Sequence, residues 1–125
     1  MLLHPYHFCL LKCQIRQKLK GDYHFCLTHA DRSHLSRERL INISESYIHK
    51  VLPEFGKGPK SLSPHTLDIL AKYIGKKDWN DFLNQNKVPL ELFNYLLKPK
   101  AAKKLAEMVE KRMMEILKVQ MVSEL

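Results

Sequence analysis

The stretch Asn42-Ile43-Ser44-Glu45-Ser46-Tyr47-Ile48-His49-Lys50-Val51-Leu52 decides the fold, together with Ser63-Pro64-His65-Thr66-Leu67-Asp68-Ile69-Leu70-Ala71-Lys72-Tyr73-Ile74-Gly75 and Asp78-Trp79-Asn80-Asp81-Phe82-Leu83 after it. It reads as three short helices, each with a start signal and apolar residues at helical spacing. Ser44 caps the first, because a serine hydroxyl accepts from an orphan amide of the first turn, and Glu45 adds favourable charge there. Ile43, Ile48, Val51 and Leu52 form its inward stripe and leave Glu45, Ser46, His49 and Lys50 pointing outward. Ser63 and Pro64 open the second helix, where proline at the first position loses no hydrogen bond. Its apolar face is Leu67, Leu70, Ala71 and Ile74, and Gly75 is the stop. Asp78 and Asp81 have the spacing of a cap and its first turn, and Trp79 and Phe82 are predicted to pack with Leu67, Leu70 and Ile74 in the core.

Upstream, Leu35 to Leu40 is expected to form a short helix that stops at Ile41-Asn42, since asparagine tolerates the left-handed geometry such a turn often needs. A helix, a tight turn and a second helix follow in order. Residues 41–52 thus resemble the second half of the helix-turn-helix pattern, with Asn42, Ile43, Ser44, Ile48 and Lys50 in the characteristic places. Asn42 stands where glycine is usual, and Glu38 where a small residue normally lets the helices approach. Residues 35–83 also resemble a small helix-turn-helix module, the N-terminal DNA-binding-like domain of Bacteroidota regulatory proteins. There an Ile-Ser helix leads through a basic loop and Ser-x-x-Thr-Leu to a final Trp-x-x-Phe. The resemblance implies a nucleic-acid or regulatory role.

Charge agrees with such a role. The chain has 125 residues, 21 Lys and Arg against 13 Asp and Glu, and a formal net charge of +8. The excess concentrates in the first sixty residues, which carry ten basic and five acidic side chains. A basic surface attracts phosphate backbones through counterion release, and it also suits anionic membranes and acidic proteins. In the DNA-binding reading, helix 44–52 enters the major groove with Ser46, His49 and Lys50, while Arg37, Arg39, Lys57 and Lys60 hold phosphates. Lys57 and Lys60 belong to the Gly-, Pro- and Lys-rich linker 53–61, which reads as a solvated loop.

No apolar run approaches bilayer-spanning length, so no membrane partner is expected. The start Met1-Leu2-Leu3-His4-Pro5 lacks a charged n-region and a small-residue cleavage site. With three cysteines, an odd number, this points to reduced thiols in a cytoplasmic protein. Tyr6-His7-Phe8-Cys9-Leu10 recurs identically as Tyr23-His24-Phe25-Cys26-Leu27. His7, Cys9, His24 and Cys26 are ligand types that suit zinc, with Cys13 and His29 as alternates. However, His-x-Cys puts both ligands on one face only in an extended strand, and Cys-x-x-Cys is absent. The segment from Tyr6 to Lys20 reads instead as one amphipathic helix ending at Gly21, with no metal and no cofactor.

After Asn86 the chain turns apolar. Val88 to Leu97 is predicted helical from Pro89 and ended by Lys98-Pro99. From Lys100 onward Ala102, Leu105, Val109, Met113 and Ile116 form a stripe on a helix of about twenty residues. Lys103 with Glu107 and Lys111 with Glu115 lie at i,i+4 on its charged side. This helix is too apolar to stand alone. Residues 100–121 would dock on a second copy or a larger protein assembly, or fold back on their own bundle. Arg112 interrupts a strict heptad.

The expected protein is therefore all-α, a small helical bundle of five to seven helices containing a helix-turn-helix, with a long C-terminal amphipathic helix. It divides into an N-terminal helical segment 1–34, a helix-turn-helix-like module 35–86 and a C-terminal docking or dimerisation element 87–125. No catalytic motif is present, and an enzyme is not expected. Two function classes remain: a DNA-binding transcriptional regulator, and a small basic accessory subunit of a larger protein or nucleoprotein assembly that docks through its C-terminal helix.

Overall fold

The computed structural model describes residues 3–52, 62–93 and 102–123. The linker 53–61, with Lys57 and Lys60, lies outside the described residues, as does the part of the apolar run after Phe93. Among the described residues six α-helices follow in order: α1 (Pro5–Lys20), α2 (His29–Ser36), α3 (Glu45–Val51), α4 (Pro64–Tyr73), α5 (Trp79–Gln85) and α6 (Ala102–Ser123), with a 3-10 turn at Leu90–Leu92 before α6. The described residues contain no strand. Among them, no helix is long and apolar enough to cross a membrane.

The repeated pentapeptide adopts two conformations. Its first copy is part of α1, which ends at Gly21 as the sequence predicts and starts at Pro5, capped by His4, one residue before the expected Tyr6. The His4 ring accepts from the Tyr6 amide at Nδ1 (3.0 Å), so its other nitrogen donates to the Leu92 carbonyl, also at 3.0 Å. Gly21 adopts φ +84° with open space where a Cβ would sit. Gly21→Ala is therefore expected to cost about 1 kcal/mol through backbone strain alone, read as a lower thermal midpoint by circular dichroism. The second copy, from Tyr23 to Leu27, is irregular and leads into α2.

Helix α1 is the centre of the bundle, with most of its side chains buried, and it touches α2, α4 and α6. The pairs α2 with α3 and α4 with α5 pack beside it. One core joins Leu10, Leu11 and Ile15 of α1 to Leu35, Ile48, Leu67, Leu70, Phe82 and Met113. Trp79 and Phe82 are buried as expected, their rings stacked with centroids 4.6 Å apart. His7 is a core histidine. Its Nε2 lies 2.6 Å from the Asn86 carbonyl, and its ring sits edge-on to Trp79 and Phe82. Burial pulls its pKa down against that hydrogen bond.

Two helix boundaries are corrected. The helix expected at 35–40 lies earlier, because Thr28 and Asp31 form a capping box that starts α2 at His29, and the chain turns after Ser36. The helix predicted from Pro89 is a single 3-10 turn over its described part. The apolar stripe of α6 is covered by the protein itself: Val109 and Met113 are fully buried, with Leu105 and Ile116 packed at their sides, against α1. Neither Lys103–Glu107 nor Lys111–Glu115 is an ion pair, and Glu115 instead pairs with Arg112 at 3.2 Å.

Arg112 belongs to a pattern that charge counting does not reveal. The last carbonyls of a helix lack intrahelical donors and carry the negative end of its dipole. Helices α3, α4 and α5 each end on a cation from another element. Arg32 of α2 donates to the carbonyls of His49 (3.4 Å) and Leu52 (3.3 Å) at the end of α3. Lys18 of α1 donates to the Tyr73 carbonyl at the end of α4 (2.5 Å) and lies over the Tyr73 ring. Arg112 of α6 donates to the Gln85 carbonyl at the end of α5 (3.0 Å) and to the Asn86 side chain (2.7 Å). Part of the basic excess is thus spoken for by the fold.

Candidate nucleic-acid interface

Helix α3 is fixed from three sides. Ser44 caps it through a 3.3 Å bond from the Tyr47 amide. Ile48, Val51 and Leu52 anchor it in the core, and Arg32 closes its C-terminus. Eight residues, 37–44, separate it from α2. That is wider than the turn of about three or four residues in a DNA-binding helix-turn-helix. The connection descends through successive turns, with Glu38 N–H bonded to Leu35 and Ile41 N–H to Glu38, and Asn42 reverses it at φ +46°.

Glu38 has a use here. Its carboxylate accepts from the Tyr73 hydroxyl at 3.4 Å and lies 3.5 Å from His34, tying the connection to α4 and α2. Burial, with Glu38 beside it, pushes the Tyr73 phenol up to about 12. The residue that departs from the helix-turn-helix pattern therefore holds the longer connection in place.

The predicted contact residues separate into groups. Ser46 and Lys50 are exposed on the outer face of α3, and Arg37 and Arg39 are exposed on the connection before it. Arg37 is steadied by a 3.3 Å bond from its Nε to the Ser33 carbonyl. His49 does not join them. Its side chain is only 21 % exposed, its ring stacks on His29 of α2 with centroids 4.3 Å apart, and its Nε2 faces Glu45. Lys57 and Lys60 lie outside the described residues.

Sequence reasoning missed the partners on α2. His29 and Ser33 are four residues apart and meet Glu45 and His49, also four apart, so matching the two i,i+4 faces would have exposed the contact. Ser33 donates to the Glu45 carboxylate, and these hydrogen bonds from Ser33 and His49 hold Glu45 below the usual carboxylate range. Serine, histidine and glutamate meet here as in a hydrolase, but the geometry is wrong for a relay. Ser33 Oγ and Glu45 Oε1 both lie 3.4 Å from the same nitrogen, His49 Nε2, whereas Nδ1 is buried without a partner. A relay needs the acid on one ring nitrogen and the nucleophile on the other.

No protein-family model matches the chain, and neither do curated proteins or solved structures. The helix-turn-helix resemblance thus rests on residues 35–83 themselves. The zinc ligands suggested by the repeat are not brought together: no group of three or more His, Cys, Asp or Glu among the described residues could hold a metal. His7 is committed to Asn86, Cys13 is buried, and Cys26 is exposed.

Proposed function

We propose that this chain is a DNA-binding helix-turn-helix protein acting in transcription regulation, with the outer face of α3 toward the major groove and Arg37 and Arg39 on flanking phosphates. One observation carries the reading. Helix α3 is held by its apolar side and by Arg32, while Ser46 and Lys50 stay exposed beside a connection bearing two exposed arginines, and among the described residues no carboxylate neutralises either arginine in an ion pair. Lys18, Arg32 and Arg112 are already engaged by the ends of α3, α4 and α5, whereas Lys50 and Arg39 are exposed at this face and Arg37 is exposed with its Nε on the Ser33 carbonyl.

His49 is not a contact residue in this reading. It supports α3 from behind through His29, which leaves Ser46 as the side chain on α3 for base edges and Lys50 for phosphate or guanine. The test is fluorescence anisotropy with random duplex DNA at low salt, followed by selection of preferred sites. Lys50→Ala, Arg37→Ala and Arg39→Ala should each weaken binding, and the salt slope should fall by about one unit for every phosphate that the replaced side chain neutralised. Ser46→Ala should change the preferred sites more than the affinity.

A second reading, the small basic accessory subunit, is favoured by Leu90 and Phe93, which stand 77 % and 59 % exposed at the 3-10 turn. Wild-type protein that fails to bind DNA even at low ionic strength, or variants that all bind like wild type, would hand the function to that reading.

A further inference from the structure

The second copy of the repeated pentapeptide is built differently from the first. Tyr6 and Phe8 are core residues, whereas Tyr23 and Phe25 are only half-buried, resting on the core, and His24 is exposed. Tyr23, His24 and Phe25 line a pocket of about 210 Å³ together with Glu110 of α6. Among the described residues, neither the Tyr23 ring nor the Phe25 ring stacks on another ring, and no lysine or arginine lies over either, although Lys12 covers Phe8 of the first copy. The Glu110 carboxylate forms no ion pair or hydrogen bond among the described residues. Burial, with the Glu110 charge beside it, pushes the Tyr23 phenol up and keeps that hydroxyl neutral.

Two unoccupied aromatic rings and an unpaired carboxylate suit an organic cation. An aromatic ring is negative on its face and attracts a cation within about 6 Å of its centroid, more strongly once the cation is desolvated. A quaternary ammonium has no N–H to leave unsatisfied, so it enters such a pocket at less cost than a primary ammonium. The pocket lies below the range of about 300–1,000 Å³ that holds a drug-sized ligand, so the ligand is small. The chain carries 21 lysines and arginines, yet none lines this pocket. Of the charges nearby, Asp22 lies 3.6 Å from His24 and is paired with Arg16 at 3.0 Å. Lys111, the residue after Glu110, lines instead the cavity beside Tyr6 and Arg112. Glu107, one turn before Glu110, adds to the negative side.

We propose that Tyr23, Phe25 and Glu110 form a binding site for a small quaternary ammonium compound, its methylated nitrogen against the two rings and its charge toward the carboxylate. His24 completes the wall. The site belongs to the second copy of the repeat alone, because the rings of the first are spent on the core. Binding here requires no DNA.

The test is NMR titration of the full chain at pH 8 and constant ionic strength, with choline chloride and in parallel with 3,3-dimethylbutan-1-ol, which has the same shape without the charge. Choline should shift the ring signals of Tyr23 and Phe25 saturably, with a dissociation constant of about 10⁻³ to 10⁻² M. The neutral isostere should bind about fivefold more weakly, or worse. Glu110→Gln keeps the size of the side chain and removes its charge, and should weaken choline about fivefold while leaving the isostere unchanged. Phe25→Leu keeps an apolar side chain on the core and removes one ring, and should weaken choline about threefold. Glu107→Gln, outside the pocket, should bind choline within about twofold of wild type. Glu107 and Glu110 are exposed, and far-ultraviolet circular dichroism should be unchanged for both. Equal binding of choline and the isostere, ring shifts that do not saturate below about 0.1 M choline, or a Glu110→Gln variant that binds choline like wild type would each overturn the proposal.

Discussion

Phe82→Ala should destabilise the protein by about 3–5 kcal/mol, seen as a lower urea midpoint with little change in slope. Phe82 is fully buried, stacks on Trp79 with planes 13° apart, and meets the edge of His7 from α1. Its loss opens a cavity where α5 joins the central helix. Trp79 makes the useful contrast. Its indole Nε1 is buried without a hydrogen-bond partner, a desolvated donor that contributes nothing favourable. Trp79→Phe keeps the stacked ring and removes that donor, so it should cost less than about 1.5 kcal/mol. An unchanged midpoint for Phe82→Ala would show that α5 is not part of the core.

Asp31→Ala should cost about 2–3 kcal/mol at neutral pH, because it removes half of a capping box and the buried member of an ion pair, while the half-buried Arg16 keeps Asp22 at 3.0 Å. Asp31 is almost fully buried. It accepts from Arg16 at 2.6 Å and from the Thr28 amide at 2.9 Å, and its own amide donates to the Thr28 hydroxyl. Burial pushes the carboxyl up, but the Thr28 bonds and Arg16 outweigh it and hold the pKa below the ordinary Asp value of 3.8. A carboxyl with a depressed folded pKa contributes stability above its unfolded value, and that stability is lost as pH falls through the folded pKa. Wild type should therefore weaken progressively below about pH 4, and the alanine variant should show a flatter acid limb. Urea midpoints measured from neutral to acid pH report both. Identical acid limbs would sink the assignment.

The parts of the fold legible in the sequence are those decided locally. Ser44, Ser63 with Pro64, Asp78 and Gly21 act on amides and dihedrals within a turn of themselves, and each delimits its helix in the structure. The start of α2 is equally local, but Thr28-x-x-Asp31 precedes no long apolar run, and Leu35 with Leu40 points to a helix further on. The face of α6 that docks is legible as a stripe, whereas its occupant depends on α1, some ninety residues away in sequence. At the candidate interface the exposure of Ser46 and Lys50 follows from helical period alone. The withdrawal of His49 does not, because the stacking partner His29 belongs to another helix. Nor does the capping work of Lys18, Arg32 and Arg112, since a cation looks the same in a sequence whether it meets water, phosphate or a carbonyl.

Those three cations bear on how separable the parts of this protein are. Lys18 and Arg32 lie before residue 35 and Arg112 after residue 86, yet each closes a helix inside the 35–86 segment. A cassette cut at those boundaries would carry its apolar anchors with it but leave three helix ends open and the Tyr73 face bare. Recombination or grafting that moved α3 alone would thus move a surface without its fastenings. The unit of inheritance, in a physical sense, is the 35–86 segment together with the flanks that hold it.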